Sequence, residues 1–308
     1  DDELLSADSL TRAQPRQDRK QSASTNWNDS KTQVHRFAVE QRLSEIWTTN
    51  LDYSHSDQDG TGNLFGAFDQ GTRIETFSPR VTARWDTSLG RSEWLLGHDH
   101  ITSDYEYFGT FSSTLFRQTL RDWYTQFNQG FDHGVNLTLG YRASEAEDRN
   151  KGAGQTHTDH EGSTSIGLSW QVADPVRLFI KREDVLRWAN VDENGFTLPG
   201  IEFLKPQTGE SWESGFEWKD DVQRYQASVY RLDLEDELMY DSEAGLFGAN
   251  INLDKTRRDG IMLEGQRQLT ERLSINGQYT FTDSEYRDGN FKGNEVPWVS
   301  RHSASAAL

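Results

Sequence analysis

The feature that most constrains this chain is a strict alternation of apolar and polar side chains. Residues 273–290, "LSINGQYTFTDSEYRDGN", give a clear example, with polar side chains at the even positions 274, 276, 278 and 282. The apolar residues of one parity are Leu273, Ile275, Tyr279 and Phe281. Successive side chains of a strand point to opposite faces. The stretch therefore predicts a β-strand with one apolar face and one polar face.

The same alternation recurs along the chain in about 13 segments. Many have roughly the 9 to 11 residues that a tilted strand needs to cross a bilayer. Clear examples are residues 47–53, 77–85, 135–141, 166–170, 176–180, 212–218 and 225–229. The pattern predicts strands whose apolar face meets hydrocarbon and whose polar face lines a wide, wet lumen.

The predicted connections alternate in length. Short ones are residues 43–46, 88–91, 131–134, 172–175, 219–221 and 269–272, and long Gly- and Asp-rich ones are residues 58–71, 145–162, 188–209, 241–252 and 286–299. A propeller blade packs four short strands into roughly the 40 residues that here hold two long ones, so a propeller is excluded. Short turns at one end and long loops at the other are typical of outer-membrane barrels.

Five tryptophans lie within a few residues of the short turns: Trp47, Trp85, Trp94, Trp170 and Trp218. Any one of them could serve plain core packing, but their common position favours an aromatic girdle at a membrane interface.

Composition narrows the function classes. The chain has 50 acidic and 32 basic residues, a net charge of −18, which is the wrong sign for nucleic acid. It has no Cys, which excludes disulfides and thiolate metal sites. The chain has no run of about 18 apolar residues, which excludes a transmembrane helix. We therefore predict an all-β fold, a transmembrane antiparallel β-barrel that is incomplete, with short turns on one end and long loops on the other.

Several stretches resemble the barrel domain of the TonB-dependent outer-membrane receptors. "FLKPQTGESWESGFEWKDD" (203–221) is similar to the family's "LKPE...ELG" hairpin, and "NINLDKTRRDGIMLEGQRQL" (250–269) is similar to its "N...R.GvE.E" strand. "LRWANVDENGF" (186–196) and "VPWVSRHSASAAL" (296–308) also have counterparts in the family. The resemblance is strongest from about residue 163 onward.

The resemblance implies a barrel of 22 strands around an N-terminal plug, in the outer membrane of a Gram-negative cell. It implies import of a scarce nutrient, most often a ferric siderophore or similar metal chelate, energised by TonB. We expect residues 1–308 to hold about 13 of those strands, with the plug and the C-terminal strands absent. The expected partners are the chelate, TonB through the missing plug, and outer-membrane lipid and lipopolysaccharide, with no nucleic acid. No enzyme activity and no cofactor are expected.

Two histidine motifs are weak metal candidates. His98 and His100 in "GHDH" fall on one strand face and Asp99 on the other, so the three cannot converge locally. His157 and Asp159 in "HTDH" could chelate if their loop is extended, although solvated loop residues are the simpler interpretation. We expect no metal site. The acidic stretches near the loops, such as residues 232–238, suit a solvated surface, divalent-ion bridging to lipopolysaccharide, or capture of a cationic ligand.

Aromatic residues in the long connections are the stronger binding candidates, since they offer stacking and hydrogen-bonding surface to a chelate. They are Tyr105, Tyr107, Phe108, Phe111, Trp188, Phe196, Tyr240, Phe247 and Trp298. Because they lie where strands are expected to pass into long loops, we predict ligand contacts at Tyr105, Tyr107, Trp188 and Tyr240, with Arg187 as an anion partner.

Two alternatives remain open at the level of sequence. A passive outer-membrane porin would share the alternation and the turn asymmetry but lack the ordered family motifs. A soluble acidic β-sheet binding module would turn its apolar face to a protein core, and its strands would stop near five or six residues.

Overall fold

The computed structural model describes residues 2–5, 16, 26–63, 66–246 and 248–308. Fourteen strands form one antiparallel sheet in the order β1 to β11, then β14, β15 and β16. The strands are β1 (Asp2–Leu5), β2 (Trp27–Arg42), β3 (Trp47–Asn63), β4 (Ala67–Thr87), β5 (Gly90–Gly109), β6 (Ser113–Gly130), β7 (Val135–Asn150), β8 (Gln155–Ala173), β9 (Val176–Arg187), β10 (Gln207–Lys219), β11 (Gln223–Glu235), β14 (Thr256–Thr270), β15 (Leu273–Tyr286) and β16 (His302–Ala307). A separate hairpin pairs β12 (Leu238–Asp241) with β13 (Ala249–Asn252).

The sheet is a barrel wall that does not close on itself within the described residues. Each strand pairs with the next, and the two edges are β1 and β16. The strands from β2 to β11, with β14 and β15, run from 12 to 21 residues. Such lengths contradict the soluble module, whose strands would stop near five or six residues. The all-β antiparallel fold is confirmed, and the 14 strands of the sheet agree with the expectation of about 13.

The register sorts the side chains into an apolar outward face and a polar lumen face. Leu139 lies between Phe127 and Ile166 on the outward face, and its neighbour Thr138 lies between Asn128 and Gly167 on the lumen face. Large apolar side chains on the outward face are exposed, for example Leu139 at 41%. A contiguous exposed apolar face of this size marks a surface that contacts another apolar medium, here the bilayer.

The five tryptophans of the predicted girdle lie on the outward face beside the short turns. Trp47 and Trp94 meet edge to face at 6.3 Å, and Trp85 lies 6.3 Å from Phe127. Trp170 and Trp218 are exposed at 48% and 40%. This is the arrangement in which aromatic rings anchor a barrel at the membrane interface.

Toward the loop end of the wall, the outward face of neighbouring strands changes from apolar to charged at the same depth. Arg182 lies opposite Trp212, which lies opposite Arg231. Ion pairs join neighbouring strands at this level, where Arg231 bonds Asp259 at 2.8 Å, and beyond it, where Arg257 bonds Asp233 at 2.6 Å. We call this part of the outward face the charged zone. The strands therefore continue past the apolar band into the aqueous medium.

The connections confirm the asymmetry but correct two of the predicted long loops. The short-turn end holds residues 43–46, 88–89, 131–134, 174–175, 220–222 and 271–272. At the other end, the described part of the chain has three long loops, residues 188–206, 236–255 and 287–301. The predicted loops over 58–71 and 145–162 are mostly strand, because β3 continues to Asn63, β4 begins at Ala67, β7 continues to Asn150 and β8 begins at Gln155. Backbone pairing continues through both stretches, from Gln58 opposite Thr72 to Asn63 opposite Ala67 and from Glu145 opposite His160 to Asn150 opposite Gln155.

Candidate functional site

The three long loops pack on one another into a single loop cluster. In the β9–β10 loop (188–206), the carbonyl oxygens of Phe196 and Glu193 accept bonds from Asn250 of the β11–β14 loop (236–255), at 2.8 and 2.9 Å. The β15–β16 loop (287–301) joins through a small buried core, in which Leu253, Tyr286 and Val296 are each at most 7% exposed. The loop end of the wall therefore carries one connected structure.

The β9–β10 loop folds onto the lumen face of β6, β7 and β8. The Trp188 indole N–H donates to Ser144 Oγ at 2.8 Å, and the Gln118 amide donates to the Ala189 carbonyl at 2.7 Å. The Phe203 ring stacks on His157 at 5.7 Å and meets Phe116 edge to face at 6.1 Å. Apolar and polar contacts together thus hold the loop against the wall.

Buried loop residues show that this contact is a packed interface. Ala189, Val191 and Leu204 are 4%, 5% and 6% exposed, and Asn194 is 3% exposed. The Asn194 side-chain oxygen accepts a bond from the Leu204 backbone at 2.9 Å, which ties the two halves of the loop together. Such burial inside a connecting segment removes much of its conformational freedom.

Asp148 is the one carboxyl group below this loop with a strongly perturbed pKa among the described residues. It lies on the lumen face near the end of β7, beyond the apolar band, and is 8% exposed. Burial raises the pKa of Asp148 to about 6, and the hydrogen bond from the Gln118 amide, 2.9 Å from Oδ1, opposes the rise.

Tyr105 and Tyr107 do not lie beside a long loop, as their sequence position suggested. Both are on the lumen face of β5, which ends at Gly109 and passes into the tight turn 110–112. Tyr105 still meets the loop cluster, because the β9–β10 loop reaches across the wall to it. Burial raises the pKa of the Tyr105 phenol, and the Asp192 carboxylate of that loop adds to the rise. Tyr107 stacks on Phe68 at 5.8 Å.

Arg187, Trp188 and Tyr240 all belong to the loop cluster or its base. Arg187 ends β9, and its guanidinium bonds Glu193 of the same loop at 2.6 Å. Tyr240 lies in β12, is 49% exposed and stacks on Phe196 at 6.2 Å. The β9–β10 loop therefore connects four of the five predicted contact residues, and Tyr107 lies next to Tyr105 on the same face. Phe247 lies outside the described residues.

The histidine motifs do not assemble a metal site. His98 and His100 face outward with rings 6.5 Å apart, and His98 stacks on Trp123 at 4.4 Å. His157 and Asp159 lie on strand β8, bonded to each other at 2.9 Å. Over residues 2–5, 16, 26–63, 66–246 and 248–308, no group of three or more metal-ligating side chains converges. Within the same residues no helix has the length and apolarity of a membrane span, which concerns helices only.

Sequence reasoning missed the lumen-face residues that hold the loop. Gln118, Ser144 and Asp148 occupy ordinary polar positions of alternating strands, so nothing local distinguishes them. One signal was available: Ala189, Val191 and Leu204 are apolar residues inside a polar loop, and an apolar residue in a loop indicates packing against something.

Comparison with known proteins agrees with this architecture. The model of the family "TonB dependent receptor-like, beta-barrel" matches residues 3–308. The ferrichrome outer membrane transporter/phage receptor of Escherichia coli K12 is 31% identical over 103 residues, covering 32% of this chain and 14% of that protein.

Solved structures share the fold at low identity. The alcaligin outer membrane receptor FauA from Bordetella pertussis superposes with a TM-score of 0.72 at 15% identity, over 91% of this chain and 50% of that one. BauA, the ferric preacinetobactin receptor from Acinetobacter baumannii, gives 0.73 at 13% identity, over 91% and 49%. This chain thus spans about half the length of these structures and a smaller part of the ferrichrome transporter. The chain belongs to the β-barrel family of TonB-dependent receptors, proteins of the Gram-negative outer membrane.

Proposed function

We propose that this chain supplies part of the barrel of a receptor that binds a ferric siderophore or similar metal chelate and imports it with energy from TonB. The observation that carries the proposal is the loop cluster, which gathers aromatic side chains and an arginine at the loop end of a receptor-family wall. The similar proteins support the ligand class, because their names specify ferrichrome, alcaligin and ferric preacinetobactin. The proposed role is transport, with no catalytic step and no cofactor.

The proposed division of the protein assigns residues 1–308 to the barrel alone. The plug, the contact with TonB and the remaining strands then belong to other parts of the receptor. This division is supported by the family match over 3–308 and by the share of about half that the chain covers in the solved structures.

The proposed ligand contacts are Tyr105, Tyr107, Arg187, Trp188 and Tyr240. Phenol and indole rings offer flat apolar surface with a polar edge, which suits the organic shell of a chelate. Arg187 is 38% exposed at its side chain and paired with Glu193. An anionic chelate that binds Arg187 must therefore displace or share the Glu193 carboxylate, which ties ligand binding to the conformation of the β9–β10 loop.

Lipid and lipopolysaccharide are the proposed partners of the outward face. The apolar band suits acyl chains, and the charged zone above it carries acidic residues such as Asp259 and Asp283 beside arginines. Divalent cations can bridge such carboxylates to lipid phosphates. The net charge of −18 argues against nucleic acid.

The test is equilibrium binding of a panel of ferric chelates, hydroxamate, catecholate and citrate types, to the purified full-length receptor. Tyr240→Ala and Arg187→Ala should weaken the binding of whichever chelate the receptor selects, while the outward-facing Tyr279→Ala should not. If no chelate binds, or if binding is indifferent to both loop variants, the proposed ligand class or site is wrong. If none of the chelates binds saturably and small solutes pass through the receptor by diffusion, the result would favour the passive porin.

A further inference from the structure

One amide side chain joins the barrel wall to the β9–β10 loop. Gln118 Nε2 lies 2.9 Å from Asp148 Oδ1 and 2.7 Å from the carbonyl oxygen of Ala189. Gln118 is 4% exposed, and Ala189 is 4% exposed. The carboxyl group of Asp148 on β7 is therefore linked, through one buried donor on β6, to the first turn of the loop that carries Trp188.

The groups around Asp148 leave its charge poorly compensated. Gln118 faces it from β6, His157 and Asp159 face it from β8, and the Asn194 side chain approaches from the loop. Burial raises the pKa of Asp148 more than Gln118, His157 and Asn194 lower it, and Asp159 adds to the rise. The His157 ring is already bonded to Asp159 at 2.9 Å. No ion pair to Asp148 occurs in the part of the chain that the structure describes, so a carboxylate there is buried beside an amide and a second carboxylate.

We infer that Asp148 is a positioning residue whose protonation holds the β9–β10 loop closed on the lumen face, so that mildly acidic medium favours the closed loop. The loop reaches Asp148 directly through the Asn194 side chain and, by way of Gln118, through the Ala189 carbonyl, and these four residues are each at most 8% exposed. When the loop lifts, water reaches the carboxyl group and the charged form is no longer penalised.

The direction of the effect follows from proton linkage. With the loop closed, burial raises the pKa of Asp148 from 3.8 to about 6. With the loop open, the pKa returns toward its ordinary value. The closed form therefore binds more protons in the window between these values, and closure is favoured as the pH falls through it. Between about pH 7.5 and about pH 5 the closing equilibrium should shift about tenfold.

The pH-dependent closing of the loop does not depend on the proposed function. Only its effect on chelate binding rests on that function. Closing of the loop brings Trp188 onto Ser144 and fixes the position of Arg187 against Glu193, and Trp188 and Arg187 are two of the proposed chelate contacts. The loop itself can be followed with no ligand present. Failure of the loop experiment and failure of chelate binding are therefore separate results.

The experiment uses thiol labelling of the full-length receptor in outer-membrane vesicles, with the reporter as its single cysteine. Residues 1–308 contain no native cysteine. Val191→Cys places a thiol at a position 5% exposed in the closed loop, and Leu246→Cys, at a position 92% exposed, corrects for the pH dependence of thiol chemistry. The corrected labelling rate of Val191→Cys measures how often the loop opens.

The expected result is a corrected rate about ten times slower at about pH 5 than at about pH 7.5. Asp148→Asn mimics the protonated carboxyl, so its rate should be slow and independent of pH. The matched control Asp132→Asn, exposed in the short turn 131–134 at the opposite end of the wall, should keep the pH dependence. Gln118→Met removes the amide that lowers the pKa of Asp148, so the loop should open more often and the midpoint should move to higher pH.

Two outcomes would overturn the inference. One is a corrected rate that does not change with pH in the receptor with native Asp148. The other is a pH dependence that survives in Asp148→Asn. If Asp148→Asn does not assemble, the direction of the midpoint shift in Gln118→Met decides, since a shift to lower pH contradicts the inference.

Discussion

Arginine placed on either side of one strand should separate the two faces of the wall. Leu139 lies on the outward face of β7, between Phe127 and Ile166, and near the middle of the apolar part of that strand, which begins at Val135 and ends before Glu145. Thr138, the preceding residue, faces the lumen between Asn128 and Gly167. The two positions share a strand and nearly a depth, and differ in the medium they face.

The expected cost follows from that difference. An arginine on the lipid face near the bilayer midplane destabilises a barrel by about 2–4 kcal/mol. Leu139→Arg should therefore lower the folding equilibrium constant by about 30-fold to about 900-fold. Thr138→Arg extends into the lumen among polar side chains, where its charge can keep polar partners, and should lower the free energy of unfolding less than Leu139→Arg does.

Urea unfolding of the full-length receptor in lipid vesicles, followed by tryptophan fluorescence, measures both variants. The slope with urea must stay constant, so that a shift in midpoint reports stability. Equal destabilisation by the two variants, or a larger loss for Thr138→Arg, would refute the assignment of the outward face to hydrocarbon.

Three further predictions concern the loop end and the wall. Trp188→Phe removes the indole donor to Ser144, which should cost the closed loop about 0.5–1.5 kcal/mol and speed protease cleavage within 188–206; Trp298→Phe, at a position 93% exposed, should not. Gly215→Ala places a methyl group 2.3 Å from the Ala227 carbonyl oxygen and should cost about 1–3 kcal/mol in urea unfolding, whereas Gly277→Ala, whose nearest neighbour is 3.5 Å away, should cost far less. Tyr240→Ala removes the ring stacked on Phe196 and should weaken chelate binding about 2- to 12-fold by titration; an unchanged affinity removes Tyr240 from the site.

Periodicity predicted the wall well because strand alternation is a local signal. Leu273, Ile275 and Tyr279 do share the outward face, and the short turns fall within a residue or two of their predicted places. The family motifs added the strand number of the complete barrel as an expectation.

The two mispredicted loops had no local signal for their true structure. Residues 58–71 and 145–162 are rich in Gly and charged residues, which usually end strands. Here cross-strand pairs, Arg73 with Asp57 and His160 with Glu145, continue the ladder beyond the bilayer. Such pairs depend on register, which the sequence of one strand does not contain.

The site could be predicted only in part for a similar reason. Trp188 and Tyr240 could be placed near the long loops because aromatic residues in such segments are visible in the sequence, and their contact with a ligand stays a prediction. The contact of Gln118 with Ala189 joins residues 71 positions apart, and the raised pKa of Asp148 depends on burial by a loop from another strand pair. Tertiary structure creates both, so residue type alone did not indicate them.

Uptake of a radiolabelled ferric chelate by cells that express the full-length receptor tests the central claim most directly. The chelate is the one that the receptor binds, and the same cells are compared with and without TonB, and with the loop variant Arg187→Ala. If the receptor imports the chelate with energy from TonB, uptake is saturable and disappears without TonB. Arg187→Ala then weakens uptake at low chelate concentration. Uptake that proceeds equally without TonB, or that rises linearly with concentration, would contradict TonB-driven import and identify a passive channel.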